Sequence, residues 1–362
     1  MQTTDTPGLP IGLRAPEALG PKRRGGQGRA MSGLKRYRSV VADSARWDGF
    51  VFRPGDIVIS TPPKCGTTWM QTLCAMLVFD TIEFNPPLAE VSPWLDMLIA
   101  DRAELVERLG RQQHRRIIKT HTPLDGLPFD SGVTYICVGR DPRDAACSAV
   151  HHMANMDVER FMELRAAAAG PEDLAETALQ RPGPPAEGAP TPVHAWLESD
   201  GQEVPMSLAY MLCHLGTFWE RRHAPQVALF HYSDLLTDLP GQLHRLAGVL
   251  GVEMADDRLL ELAAAGTFAA MKRRAQMLAP GSNVGLWRNT EDFFHRGTSG
   301  QWREVFTDGD LRRYQDRVAE LASAELAAWA HHGWLGAATG DLKEMASTPL
   351  MRTHGREVVG DR

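Results

Sequence analysis

Several things that the sequence lacks narrow it before anything it contains. Its 362 residues hold no apolar run of the roughly 18 or more residues that a membrane-spanning helix needs. The first residues show no continuous apolar core of the kind a secretory signal carries, so a cytoplasmic protein without a transmembrane segment is expected. Cysteine is scarce: Cys65, Cys74, Cys137, Cys147 and Cys213 are odd in number and sit mostly inside apolar runs. That pattern points to reduced thiols and excludes a disulfide framework. No spacing of Cys and His reads as a zinc site, and no internal repeat is evident. An excess of basic charge is also lacking; 39 Lys and Arg against 45 Asp and Glu leave a net −6, which offers no electrostatic footprint for nucleic acid, and no such partner is expected.

What is present is ordinary for a globular protein, with 43% hydrophobic and 23% charged residues. Residues 1–34, with "PKRRGGQGRAMSG", are rich in Pro, Gly and Arg without periodicity and predict a disordered basic tail. From there the pattern alternates. Apolar runs at 55–60, 115–121, 133–139 and 226–232 predict strands, and helical periodicity from Thr67 or Thr68 and at 101–113, 207–223 and 234–250 separates them. "DPRDAACSAVHHM" predicts a further helix, capped by Asp141 with Pro142 in its first turn. Strands alternating with helices imply an α/β fold: a single P-loop-like domain over 35–340, with a central, mostly parallel sheet flanked by helices. The Pro/Ala-rich stretch 170–206 breaks this rhythm and reads as an insert or lid, and 341–362 as a polar tail.

Ligands of open parallel sheets bind beyond the carboxyl ends of the strands. Those ends carry Lys64-Cys65-Gly66-Thr67-Thr68, then Lys119-Thr120-His121, then Arg140 with Ser148 eight residues on, then Tyr232. Each suits an anion or a proton transfer. "STPPKCGTTW" makes sense as an anion cradle, because Gly66 lets the backbone approach and the amides after it open a helix whose dipole favours negative charge. The lysine, however, precedes the glycine, the reverse of a Walker loop. No apolar strand ends in an Asp placed to organise Mg²⁺, so a metal-free anionic donor fits better than ATP.

In order along the chain, "PPKCGTTW", "IIKTHTPL", "YICVGRDPRDAACS" and "FFHRGTSGQWREVFT" resemble the motifs of the cytosolic-type sulfotransferases. These use 3′-phosphoadenosine 5′-phosphosulfate (PAPS) as donor co-substrate and no metal. The likeness covers roughly 37–335, and "HRRIIKTHTPLDGL" and "SPWLD" bring it nearest to bacterial glycolipid or aryl members. The resemblance implies that Lys64, Cys65, Gly66, Thr67, Thr68 and Trp69 bind the 5′-phosphosulfate, with Trp69 stacking on adenine. It implies Arg140 and Ser148 at the 3′-phosphate, closed over by Arg296 and Gly297, and Tyr232 and Phe268 beside the adenosine. His121 matches the catalytic base, with Lys64 and Lys119 stabilising charge on the sulfuryl oxygens and leaving phosphate. The implied products are a sulfate ester and 3′-phosphoadenosine 5′-phosphate (PAP).

Three departures from the family pattern stand out. Cys65 replaces a serine; a thiol beside a cation at a helix N-terminus is expected to have a lowered pKa and to be sensitive to oxidants. His295 replaces an arginine of the 3′-phosphate site, and Gln301 replaces an aspartate, with an effect expected on loop packing. The acceptor, a phenolic, polyketide-like or glycolipid hydroxyl, is expected among segments around Phe84, Trp94, His152 and 170–206. Trp94 and Trp196 would stack on it or anchor loops. A homodimer is compatible with the family. Two other readings compete: a Mg-dependent P-loop kinase, which requires a Walker lysine and a metal-binding Asp, and a non-catalytic nucleotide-binding protein, which predicts a missing base.

Overall fold

The structure is a computed structural model that describes residues 33–170, 192–199 and 206–336. The expected basic tail, most of the 170–206 insert and the C-terminal tail lie outside the described residues.

Four short apolar segments form the sheet: β1 (Ile57–Ser60), β2 (Ile117–Thr120), β3 (Thr134–Gly139) and β4 (Val227–His231). Their order is β2-β1-β3-β4 and every pairing is parallel, with Ile57 opposite both Ile117 and Thr134 and Tyr135 opposite Val227. Every strand residue is buried, as a parallel sheet covered on both faces requires. Alternation divides them between two cores. Ile57, Ile59, Ile117, Ile136, Val138 and Phe230 pack with Met70, Leu73 and Leu243, while Val58, Ile118, Tyr135, Cys137 and Leu229 meet Trp47, Phe218, Trp219 and Trp329.

The longer helices are α1 (Thr67–Phe79), α2 (Arg102–Arg111), α3 (Pro142–Asn155), α4 (Val158–Ala169), α5 (Leu208–Glu220), α6 (Leu239–Leu250), α7 (Asp256–Ala265), α8 (Asp308–Leu321) and α9 (Ala324–Gly336). Asp141 caps α3 as expected, accepting from the Arg143 amide at 3.0 Å, with Pro142 opening the helix. The single helix expected over 234–250 is instead two, Tyr232–Thr237 and α6. Asp238 separates them, its carboxylate taking the Gly241 amide at 2.9 Å, and Pro240 sits in the first turn of α6 where its missing N–H costs nothing.

The topology fixes where a ligand goes. The chain leaves β1 for β2 on one side and crosses back to β3 on the other, so the strand order reverses at β1. The crevice at such a switch point lies beyond the carboxyl end of β1, where the Lys64–Gly66 turn stands.

Candidate active site

Between β1 and α1 the backbone takes two left-handed residues, Lys64 at φ 68° and Gly66 at φ 97°. Glycine adopts this freely; for lysine it costs on the order of 1–2 kcal/mol, so something must hold Lys64 there. Arg140 does, donating from Nη1 to the Lys64 carbonyl at 2.9 Å. A Cβ at Gly66 would lie 3.0 Å from the Tyr232 ring, so the position is also sterically closed to larger residues. The turn presents the first amides of α1, which have no intrahelical acceptor, and the Thr67 hydroxyl is tied to that of Thr61 at 2.5 Å.

The penultimate residue of β2 is Lys119, whose ammonium lies 4.1 Å from the centre of the Trp94 ring. Burial lowers its pKa to about 8, against the opposing charge of Asp96. Asp96 is fully buried and accepts from the Trp47 indole at 3.0 Å and from the hydroxyls of Thr120 and Thr122. His121 follows. Its Nδ1 is 2.7 Å from the Thr61 carbonyl, which can only accept, so Nδ1 carries the proton and Nε2 the free lone pair. Trp94 meets the ring edge-on at 4.6 Å, and the Tyr210 hydroxyl donates to the His121 carbonyl at 2.5 Å. Burial and the charges of Lys119, His214 and Lys64 push the imidazole well below its ordinary pKa, outweighing the Thr61 bond. Lys64 is drawn down to about 7, first by burial and then by Arg140 and Lys119.

Arg140, at the end of β3, is buried and reaches the Thr298 carbonyl at 3.1 Å while its guanidinium stacks 4.1 Å from the Tyr232 ring centre. Its Nε is buried without a hydrogen-bond partner among the described residues. Asp144 binds the amides of Gly300 (2.7 Å) and Trp302 (3.3 Å), so residues of α3 anchor the 298–302 segment. Within it Gln301 donates to the Thr298 carbonyl at 3.0 Å, the packing role expected of it. Arg296 is half-exposed and paired with Glu304 at 3.0 Å; His295 stacks on His151 with ring centres 3.7 Å apart.

Every residue expected at the donor or as a catalytic group, except Cys65, lines one cavity, with the loop, the β2 end, Arg140, Ser148, Tyr232 and the 295–297 segment around it. Trp69 is both wall and core: its indole N–H bonds the Gly266 carbonyl at 2.8 Å and it meets Tyr232 edge-on. Cys65 corrects an expectation. Its side chain is buried against Ala145 and Met211, and that burial pushes the thiol up to about 12, overriding Arg140 and Lys64. The geometry removes the basis for a reactive thiolate.

The cavity has a second, apolar half walled by Met153, Met156, Phe161, Leu286 and Trp287. Of the residues expected there, Trp94 and His152 take part. Phe84 packs instead against the core at Phe79, and Trp196 stacks on Tyr314 at 6.1 Å, anchoring the Pro192–Glu198 helix. Tyr210 and Trp287 carry no motif spacing of their own, and only their contacts bring them to light; Asp96 closes "SPWLD", but only its contacts with Trp47, Thr120 and Thr122 show what it does. Among the described residues no three His, Cys, Asp or Glu side chains group as a metal site, and no helix is long and apolar enough to cross a membrane.

A parallel P-loop-like sheet with an anion loop at its switch point, two lysines and a histidine around it, defines a group-transfer protein that handles an anionic donor. Within that class the sulfotransferase domain family matches residues 54–326, and the chain belongs to this family. The glycolipid sulfotransferase of Mycobacterium bovis (strain BCG / Pasteur 1173P2) is 46% identical over 317 residues, spanning 83% of this chain and 95% of that one. Sulfotransferase 1 family member D1 of Rattus norvegicus is 24% identical, spanning 82% and 93%. Two solved structures share the fold: retinol dehydratase in a complex with retinol and PAP (TM-score 0.58, 20% identity, 76% and 84% covered), and a mouse sulfotransferase complexed with PAP (TM-score 0.57, 19%, 83% and 92%). The resemblance drawn from four motifs holds at the level of family and fold.

Proposed function

We propose that this sulfotransferase uses PAPS as donor and sulfates a hydroxyl of a glycolipid, with His121 as the base. The observation that carries the reading is the convergence of Lys64, Lys119, Arg140 and the free Nε2 lone pair of His121 on a cavity whose other half is apolar. The 46% identical glycolipid sulfotransferase supports the acceptor class, and the PAP complexes of proteins sharing the fold support the donor.

The residues fit such a donor. Arg140 keeps a buried N–H with no partner among the described residues, and Lys64 and Lys119 have lowered proton affinities in part because burial deprives them of solvent. An anion of high charge relieves each of these. Lys64 and the amides of Gly66, Thr67 and Thr68 hold the 5′ end; Arg140, Ser148, Arg296 and Gly297 hold the 3′-phosphate; Trp69, Tyr232 and Phe268 flank the adenosine. PAPS, when bound, supplies the sulfuryl group: the sulfur–oxygen bond to the acceptor forms as that to the 5′-phosphate breaks, leaving PAP.

His121 takes the acceptor's proton on Nε2. Thr61 fixes its tautomer and Tyr210 its backbone, so the lone pair points from a rigid support. Burial first, and then Lys119 and Lys64, keep the ring neutral, so that Nε2 holds a lone pair and not a proton. A positioned base of this kind contributes about 10²–10⁴ in rate. Lys64 and Lys119 stabilise charge developing on the transferred and leaving oxygens, and Asp96 behind Lys119 favours its charged form. Sequestered from water, these cations act in a low dielectric where they are worth most.

Calorimetric titration with PAP and with ATP in EDTA tests the donor. Tight metal-free binding of PAP, lost in Arg140→Ala and weak for ATP, is expected; a preference for ATP that appears only with Mg²⁺ overturns it. Transfer of radiolabelled sulfate from PAPS to extracted glycolipids tests the acceptor, with His121→Asn expected to abolish turnover while binding PAP as wild type does.

A further inference from the structure

Lys64 is gripped at both ends by one unit of the fold. Arg140 at the end of β3 holds its carbonyl at 2.9 Å, and His152, three turns along α3, meets its ammonium with Nδ1 at 3.0 Å. The imidazole in turn leans on the acceptor side of the cavity, its ring centre 4.8 Å from that of Trp287 and 6.0 Å from that of Phe293, while the ammonium sits 5.2 Å from the Phe293 centre. An ammonium can only donate, so Nδ1 is the acceptor and the proton of the neutral ring resides on Nε2. His152 therefore has the opposite tautomer to His121.

We propose that His152 is a positioning residue for Lys64, its Nδ1 lone pair holding the ammonium charged and in place where the charged and apolar halves of the cavity meet. The inference rests on the reading of this cavity as a PAPS site, and goes beyond it by giving a residue of the acceptor wall control over a donor-side cation. A lysine side chain forfeits about 2 kcal/mol of rotamer entropy when fixed, so an unsupported ammonium would wander. A partner is also needed on charge grounds. The groups facing Lys64 are Arg140 and Lys119, both cationic, and the Cys65 thiol; His152 itself faces Lys64, Lys119 and His121. Burial and those cations take the Lys64 proton affinity down to about 7 and keep His152 neutral. Among these neighbours His152 supplies a neutral acceptor at hydrogen-bond distance.

Loss of that acceptor makes Lys64 give up its proton at lower pH, and a site missing that charge binds PAP less well. The test compares His152→Phe, which keeps an aromatic ring against Trp287 without a lone pair, with His152→Asn, whose side-chain oxygen can replace Nδ1. His152→Leu serves should the Phe variant not fold. PAP affinity is measured by calorimetry from pH 6 to 9, and kcat and KM for PAPS at neutral pH. With the apolar variant, the alkaline fall in PAP affinity is expected about one pH unit earlier than in wild type, and kcat about tenfold lower, the scale of a hydrogen bond to a charged group. His152→Asn is expected to restore both to within about threefold. Equal profiles for the Asn and Phe variants would mean that the ring merely packs, and a wild-type profile in the Phe variant would mean that Lys64 needs no such partner; either overturns the inference. Failure of wild type to bind PAP at every pH sinks the donor assignment itself, and is distinguishable from both.

Discussion

Gly297→Ala should damage donor binding by displacing the ring of Phe268, 29 residues earlier in the chain. Gly297 sits at φ 67°, and a Cβ there would lie 2.3 Å from the ring of Phe268, far inside contact. A non-glycine residue in this left-handed region costs about 1–2 kcal/mol, and forcing an extra carbon into a filled space about 1–3 kcal/mol, so a rigid site would lose about 2–5 kcal/mol. The segment cannot simply swing away: Arg140 holds the Thr298 carbonyl, and Asp144 holds the amides of Gly300 and Trp302. The ring must move instead. Phe268 is half-buried, opens the Phe268–Arg273 helix and meets Phe294 edge-on at 6.0 Å. Urea unfolding should register about 2 kcal/mol of lost stability, the low end of that range, because a half-buried ring yields.

PAP affinity, read by calorimetry, should fall at least tenfold, since Phe268 and Gly297 flank the proposed donor site. Phe268→Ala removes the obstacle, so the double variant should cost little more than Phe268→Ala plus the backbone strain alone. The coupling between the two substitutions should then be about 1–3 kcal/mol, in the range found for residues in direct contact. Strict additivity, within about 0.5 kcal/mol, would refute the close approach on which the prediction rests.

Two other predictions concern groups that burial has silenced. His214, bound through Nε2 to the Ser60 hydroxyl, and His231, bound through Nε2 to the Ala330 carbonyl, have pKa values lowered by burial to about 3 and about 4. Their stability contribution is complete above the unfolded value of about 6.5 and is lost as pH falls toward the folded values; at about 1.4 kcal/mol per unit each, the pair removes about 5 kcal/mol by pH 4.5. Urea midpoints that stay flat from pH 7.5 to 4.5 would contradict this. Cys65 should resist peroxide and alkylation at neutral pH until the protein unfolds, and Cys65→Ser should leave oxidant sensitivity as it is. Peptide mapping that finds Cys65 modified in the native protein would overturn that.

How much of this was legible in the sequence depends on whether the cause lay nearby in the chain. The strands were, because a parallel sheet buried on both faces leaves continuous apolar runs, and "IVIS" or "TYICVG" can hardly be anything else. So were the strand-end residues, since topology carries every one of those ends to the same edge. The break at Asp238 was signalled by Pro240, and the helical period on either side obscured it. Cys65 was misread because its neighbours in the chain are Lys64 and a helix N-terminus, whereas its neighbours in space are Ala145 and Met211. Side-chain direction in a turn with two left-handed residues follows no period. His152 is the opposite case: its place beside the acceptor is legible from its segment, but its partner Lys64 lies 88 positions earlier.

Those long-range contacts give the cavity a property that no single motif carries. His121 and His152 are neutral because burial and the two lysines make them so, and Lys64 is itself drawn down by Arg140 and Lys119. The groups are thus coupled by one shared excess of positive charge. An arriving anion reduces that excess for all of them at once: it favours the ammonium of Lys64 and raises the proton affinity of His121 toward the range where a base is useful. On the proposed function, donor binding and the priming of the base are one electrostatic event, and the acceptor proton is taken most readily only when a sulfuryl group is in place to be transferred.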